Sequence, residues 1–446
     1  MFKPSTPSLP VVRRVSSALL LAGFSICALA QGRRFEFGAV QPSAGYVNVQ
    51  PDMEYSAARG FGFESGASAR TVEDASGDRL HASYLTGDKP FFFSVDLPEG
   101  NYNVTVTLGA GKAASNTTIK AELRRLMLEN VATAPGAATT RTFTVNVRTP
   151  RIAGGGAVNL KSPRETVQEA WAWDNRLTLE INGAHPAIRT IEITPVQMPT
   201  LFLLGDSTVC DQPGEPYNSW GQMLPRFLKP GIAVANHGES GETYRDSIQR
   251  RRLDKILGAM RPGDTVLMQF GHNDQKQIKD GKGGPFTTYK DEIRTHVEAI
   301  RARGGVAVII SSMERRNFDA NGKIIPSLTD YADAARQAAQ ELGAPFIDLN
   351  AMSKQFYEAL GPKGSKKAFA EPEPGRIDNT HHNSYGSYEL AQAVLTGMRM
   401  SGVAAAAYIA DGYGHFDPSH PDPVEKFAVP PSPNYSNQRP LGDTTY

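Results

Sequence analysis

Cysteine is almost missing from this chain. Of 446 residues only Cys27 and Cys210 carry a thiol, and Cys27 falls in a leader described below, so no disulfide is expected and stability must come from packing. Long apolar runs are missing too. Beyond the leader nothing approaches the roughly eighteen consecutive apolar residues of a membrane-spanning helix. An excess of either charge is also lacking: 47 Lys and Arg stand against 46 Asp and Glu, which gives no electrostatic case for a nucleic-acid partner. His-Glu-x-x-His, paired Cys-x-x-Cys and the glycine-rich Lys-Ser/Thr phosphate loop do not occur. No metal and no other cofactor is therefore expected.

What is present begins with an export signature. Arg13-Arg14 supply positive charge, Ser17 to Leu29 an apolar stretch and Ala28-Leu29-Ala30 a small-residue cleavage site, so residues 1–30 read as a signal peptide and mature protein should start near Gln31. A permanent anchor would need a longer apolar span. Lipid attachment at Cys27 is disfavoured by Ile26, which stands where a small residue is needed. Cleavage would remove Lys3, Arg13 and Arg14 but no acid, turning the formal charge from +1 to −2. The expected location is secreted or periplasmic, free of the membrane after cleavage.

Length argues for two domains, because one hydrophobic core rarely serves this many residues. With 42 glycines, 40% apolar and 21% charged residues, the composition suits a turn-rich, sheet-containing soluble protein. From about Arg34 to Ile193 a period of two dominates. Tyr102, Val104, Val106 and Leu108 face one way; Phe143, Val145 and Val147 repeat the pattern, as do Leu177, Leu179 and Ile181 before the turn pair Asn182-Gly183. This predicts a β-sandwich over 31–195. After Pro195 short apolar runs (Leu201 to Leu204, around Val234, Thr265 to Phe270, Val306 to Ile310, Pro345 to Ile347) alternate with helical spacing, clearest at 328–342 before Gly343. That grammar predicts an α/β domain over 196–410, a parallel sheet covered on both faces. The boundary falls near 194–200, with Pro195 and Pro199 as a stiff linker. Residues 411–446 are proline-rich and cannot continue a helical layer; an extended tail over the domain and a disordered end are the two expectations.

Four segments follow predicted strands or precede a helix, where an open parallel sheet collects its chemistry. Gly205-Asp206-Ser207-Thr208 presents a serine; read alone it is equally a helix cap. In Asn236 to Tyr244, Gly241 can bring a bare backbone N–H close to a carbonyl, or simply serve a turn. In Gln269 to Asp274, Asn273 offers an uncharged N–H donor to an oxyanion, a role contributing roughly 3 kcal/mol, although loop asparagines commonly serve local turns. In Asp378-Asn379-Thr380-His381 an imidazole can activate the serine and a carboxylate can orient the imidazole. His382 is the rival base. Cys210 reads as a buried small apolar group, and Trp171 with Trp173, at i, i+2, as one buried face of a strand rather than a sugar platform.

Taken together in this order, the four segments resemble the blocks of the SGNH or GDSL hydrolase superfamily. The resemblance implies a three-layer, flavodoxin-like α/β/α domain. It also implies Ser207 as nucleophile, Asp378 and His381 as its triad partners, and the Ser207 N–H, Gly241 N–H and Asn273 side chain as oxyanion hole. Gly-Asp-Ser-Thr, Phe-Gly-His-Asn-Asp at 270–274 and Asp-Asn-Thr-His at 378–381 look most like rhamnogalacturonan acetylesterases, whose bacterial members often carry an N-terminal carbohydrate-binding-like or galactose-binding-like sandwich. The implied partner is an acetylated polysaccharide, pectin and its rhamnogalacturonan, and the implied state a monomer. Acetylxylan or another glycan is the alternative substrate, and a carbohydrate-binding protein with an inactive hydrolase domain is the alternative class. One departure stands out: many such esterases have Arg-Ser after the second-block glycine, whereas this chain has Glu242-Thr243, with Arg245 nearby.

Overall fold

The alternation over 102–108 appears in space as a strand, Gly100–Leu108, whose Tyr102, Val104, Val106 and Leu108 are buried while the residues between them are half-buried. This computed structural model describes residue 1 and residues 32–38, 41–74, 82–279, 281 and 283–441. Apart from Met1, the expected signal peptide lies outside the described residues. The strand pairs antiparallel with Thr139–Val147 on one side and Ile188–Val196 on the other, within a seven-stranded sheet. A second sheet of five strands, including Phe91–Asp96, Arg176–His185 and Ser115–Ala121, supplies the other layer. Between them Phe35, Phe37, Phe61, Phe63 and Phe93 pack ring to ring, with centroids 5.1–6.5 Å apart. This is an aromatic sandwich core.

Within the sandwich, two strand and turn details differ from the sequence expectation. Asn182-Gly183 does not end its strand. The strand continues to His185 through a register shift, and Gly183, at φ +131°, lies so close to its neighbour that an added Cβ would sit 2.2 Å from the Asn116 carbonyl oxygen. The glycine therefore makes a bulge rather than a hairpin turn. Trp171 and Trp173 are not on a strand either but around a short 3-10 turn, Ala170–Ala172. Trp173 is buried with Leu123, Ile152 and Val158, its ring under the Arg148 guanidinium at 4.6 Å, while Trp171 packs on Phe92.

Pro195 belongs to the strand Ile188–Val196, so only residues 197–199 connect it to the next strand, Thr200–Gly205. That strand is second in a five-stranded sheet, flanked on one side by the edge strand Ala233–Asn236 and on the other by Thr265–Gln269, Val306–Ile310 and Phe346–Ile347. All pairings are parallel. Its side chains alternate between two cores. Leu201 and Leu203 pack with Trp220, Phe227 and Val394; Phe202 and Leu204 pack with Ile256, Ile293, Val297 and Ala335. This is the three-layer α/β/α arrangement, with helix Ser384–Met400 on one face and helices Arg252–Ala259, Lys290–Ala302 and Thr329–Leu342 on the other. Gly343 ends the last of these at φ +55°, the left-handed stop expected there. Because the chain leaves Thr200–Gly205 to the strand on one side and then crosses to the strand on the other, the carboxyl end of Thr200–Gly205 is the switch point where an open α/β sheet forms its crevice. Among the described residues no helix is long and apolar enough to cross a membrane.

The described part of the proline-rich tail is laid across both domains. Lys120 of the sandwich donates to the Pro430 carbonyl, and Glu215 of the α/β domain exchanges backbone hydrogen bonds with Asn434 and Ser436.

Candidate active site

Ser207 is two residues beyond the strand Thr200–Gly205, at the switch point. Gly205 is needed there because a Cβ would lie 2.5 Å from the Gln269 carbonyl oxygen of the adjacent strand. A tight turn follows, in which Val209 and Cys210 N–H groups both donate to the Asp206 carbonyl. Ser207 caps no helix: its hydroxyl lies 2.9 Å from His381 Nε2.

The other end of that imidazole meets a carboxylate. His381 Nδ1 is 3.0 Å from Asp378 Oδ2, and Asp378 Oδ1 accepts the backbone N–H groups of Thr380 and His381. One turn thus folds residues 378 and 381 side by side. With the hydrogen assigned to Nδ1, Nε2 is left to accept the Ser207 proton. Burial alone would raise the Asp378 carboxyl, but the facing His381 and then the Arg439 guanidinium outweigh it and hold it below the ordinary carboxylate range.

Gly241 and Asn273 arrive on loops tied to the serine loop. The Glu239 N–H donates to the Gly205 carbonyl, and His272 Nδ1 lies 3.2 Å from Asp206 Oδ2. Asn273 Nδ2 donates to the carbonyl of Glu242, the residue after Gly241, at 3.1 Å. Gly241 takes φ +78°, a conformation open to glycine. Burial would raise the Asp206 carboxyl, but His272 and Thr208 keep it lowered, so it stays ionised within the loop cluster.

His382 points elsewhere. Its Nε2 pairs with the Tyr357 hydroxyl at 2.8 Å, and burial, with His381 and His272 adding to it, pushes it down to about 3. Cys210 is buried, and burial pushes its thiol well up, leaving an unreactive small group. The departure at 242–243 has a structural cause: Glu242 is fully buried against Arg252 at 2.8 Å, and Thr243 caps the short helix Tyr244–Gln249. Arg245 is engaged by Glu292 at 2.7 Å.

Several neighbours were not legible in the sequence. Gln212 Nε2 donates to the Ser207 carbonyl at 2.6 Å, and the Tyr217 ring stands edge-on to His381. The sandwich contributes Arg164, bonded to Ser240 Oγ at 2.8 Å, and Lys161, bonded to the Ser240 carbonyl. The tail contributes Arg439, 2.9 Å from Asp378. None belongs to a spaced motif, so only His272, adjacent to Asn273, had a signal. Among the described residues Glu165, Glu169 and Glu239 place ligand-type oxygens within 4.8 Å of one another. Arg164 already lies 2.7 and 2.9 Å from two of them; burial raises the Glu169 carboxyl, whereas at Glu239 burial is outweighed by Arg164 and Lys161, which hold it down.

As a whole, the geometry can pass a proton from a serine hydroxyl to an imidazole held by a carboxylate, beside backbone and amide donors. That is the equipment for acyl transfer.

Comparison with known proteins agrees with this equipment. Residues 203–386 match the GDSL-like Lipase/Acylhydrolase family, and residues 33–151 match the galactose-binding-like domain of Beta-agarase/YXIM esterase-like proteins. Rhamnogalacturonan acetylesterase RhgT of Bacillus subtilis is 36% identical over 230 residues, covering 49% of this chain and 97% of RhgT. The uncharacterized esterase YxiM of the same bacterium is 28% identical over 384 residues, 83% of this chain and 91% of YxiM. The crystal structure of YxiM superposes with a TM-score of 0.45 at 24% identity, covering 84% of this chain and all of that one.

Proposed function

Because the chain belongs to the GDSL-like lipase/acylhydrolase family and is an esterase, we propose that it removes acetyl groups from a cell-wall polysaccharide, with Ser207, His381 and Asp378 as catalytic triad. The observation that carries this reading is the continuous relay from Ser207 Oγ to His381 Nε2 at 2.9 Å and from Nδ1 to Asp378 at 3.0 Å. His381 takes the hydroxyl proton as Ser207 attacks the ester carbonyl. The Ser207 and Gly241 N–H groups and the Asn273 amide stabilise the oxyanion; collapse expels the sugar hydroxyl, protonated by His381, and leaves an acetyl-enzyme. A water deprotonated by the same imidazole then releases acetate. Every step uses the chain's own groups.

Pectin, and its rhamnogalacturonan in particular, is the proposed substrate. RhgT, a rhamnogalacturonan acetylesterase by name, supports this choice, and the leader-like first thirty residues support action outside the cytoplasm. The sandwich reaches the site through Lys161 and Arg164, which supports a role as wall of the substrate cleft. Two measurements test the proposal. Ser207→Ala should abolish turnover of an aryl acetate; retained turnover would remove the triad. Acetate released from purified acetylated pectin, rhamnogalacturonan and xylan should be greatest for rhamnogalacturonan, and a preference for xylan would replace the substrate.

A further inference from the structure

The C-terminal strap is fastened at several points before it reaches the site. Lys120 Nζ bonds Pro430 O and Ser432 Oγ at 2.7 and 2.8 Å, Asn182 Nδ2 bonds Pro431 O, and Ser432 Oγ donates to Glu180 at 2.7 Å. Further on, Tyr435 Oη donates to the Pro372 carbonyl at 2.5 Å. These anchors come from both domains, so the path of the strap is held where the domains meet. The strap then closes one side of a cavity of about 270 Å³ lined by Lys161, Arg164, Gln212, Tyr217, Gln438 and Arg439. Sandwich, α/β domain and tail each supply a wall.

Arg439 turns from that wall onto the triad carboxylate. Its Nε lies 2.9 Å from Asp378 Oδ2, the oxygen that faces His381. Its Nη2 donates to Oδ1 at 3.3 Å, the oxygen already held by two backbone N–H groups. The Nε contact is a charge pairing outside hydrogen-bond alignment, and the Arg439 side chain is 16% exposed, so solvent screens it only partly. A carboxylate clamped on both oxygens has little freedom to swing away from the imidazole.

We propose that Arg439 is a positioning residue of this esterase: from the strap it fixes Asp378 and opposes a second positive charge on His381, widening the acidic range in which the imidazole can accept the Ser207 proton. This rests on the reading of Ser207, His381 and Asp378 as the triad. The other groups facing His381 do not supply that charge. His382 is neutral and engaged by Tyr357, His272 is turned to Asp206, Tyr217 meets the ring with an edge, and Arg316 is directed at Asn379. Removing Arg439 leaves Asp378 as an uncompensated anion beside the imidazole, which then takes up its second proton at higher pH.

The experiment compares the full-length wild type, Arg439→Gln, Arg439→Lys and Ser207→Ala, following kcat/KM for an aryl acetate from about pH 5 to about pH 9. For Arg439→Gln the acid limb should move up by about one pH unit, so activity falls about tenfold below the limb and rejoins the wild type above it. Arg439→Lys keeps the charge and should keep the wild-type limb. An unmoved limb in Arg439→Gln, or an equal loss at every pH in both variants, overturns the proposal and leaves the strap a purely structural element. If Ser207→Ala still turns over, the triad reading fails. If Ser207→Ala is inactive while the Arg439→Gln limb stays in place, the triad stands and only the role of Arg439 falls.

Discussion

The cluster around His381 and the cluster around Arg252 are both buried and both ionic, yet they are assembled over different ranges of sequence. Asp378 and His381 are three residues apart, and a single turn brings them together. Arg252 instead joins Glu242, ten residues before it, to Glu165, eighty-seven residues before it in the sandwich, at 2.8 and 2.7 Å. Arg125 of the sandwich makes a similar long-range pair with Asp211 at 2.8 Å. The first cluster is placed for proton transfer, whereas the second fastens one domain to the loop that carries Gly241. A buried ion pair fixes geometry more than it adds stability, because desolvation offsets much of its attraction.

That contrast predicts a double dissociation. Asp378→Asn should have the largest effect on chemistry: about a 10⁴-fold fall in kcat, because the amide favours the wrong imidazole tautomer. The folded protein should persist, seen as an unchanged far-ultraviolet circular dichroism spectrum. A loss smaller than about tenfold would show that His381 does not depend on this carboxylate. Arg252→Met should act the other way. Two buried carboxylates lose their shared cation, a cost of about 3–5 kcal/mol that denaturant titration would read as an earlier midpoint. Molecules that remain folded should still hydrolyse the aryl acetate. An unshifted midpoint would mean that Lys161 and Arg250, 3.6 Å from Glu242, compensate fully.

How much the sequence disclosed follows the same division between near and far. Periodicity sufficed for Gly100–Leu108, where one face is buried and the other half-exposed, and for the parallel strands, whose apolar runs are buried on both faces. Asp378 and His381 were legible because their spacing matches one turn. Asn182-Gly183 misled because the same pair suits a hairpin and a bulge; the approach of Asn116, more than sixty residues away, decides between them. Trp171 and Trp173 share the spacing of a strand face, but the turn that holds them packs on Leu123 and Val158. Arg439 had no signal at all. It stands in a tail whose prolines left an extended path and a disordered end both open, and whose destination is fixed by contacts with Lys120, Glu180 and Glu215.

Arg245 provides the finest test of the comparison, because it carries the smallest expected effect. Its position near Gly241 invites the idea that it replaces the arginine which the family resemblance leads one to expect directly after that glycine. In the structure it is about one-third exposed and paired with Glu292 on helix Lys290–Ala302. A partly exposed pair of this kind contributes about 0–1 kcal/mol. Arg245→Ala should therefore leave aryl acetate turnover and acetate release from polysaccharide unchanged within about twofold, and should lower the unfolding midpoint only slightly. A loss confined to the polysaccharide would assign Arg245 to substrate contact. The positive charge beside the second block would then serve the glycan directly, and the burial of Glu242 by Arg252 would no longer account for the departure at 242–243.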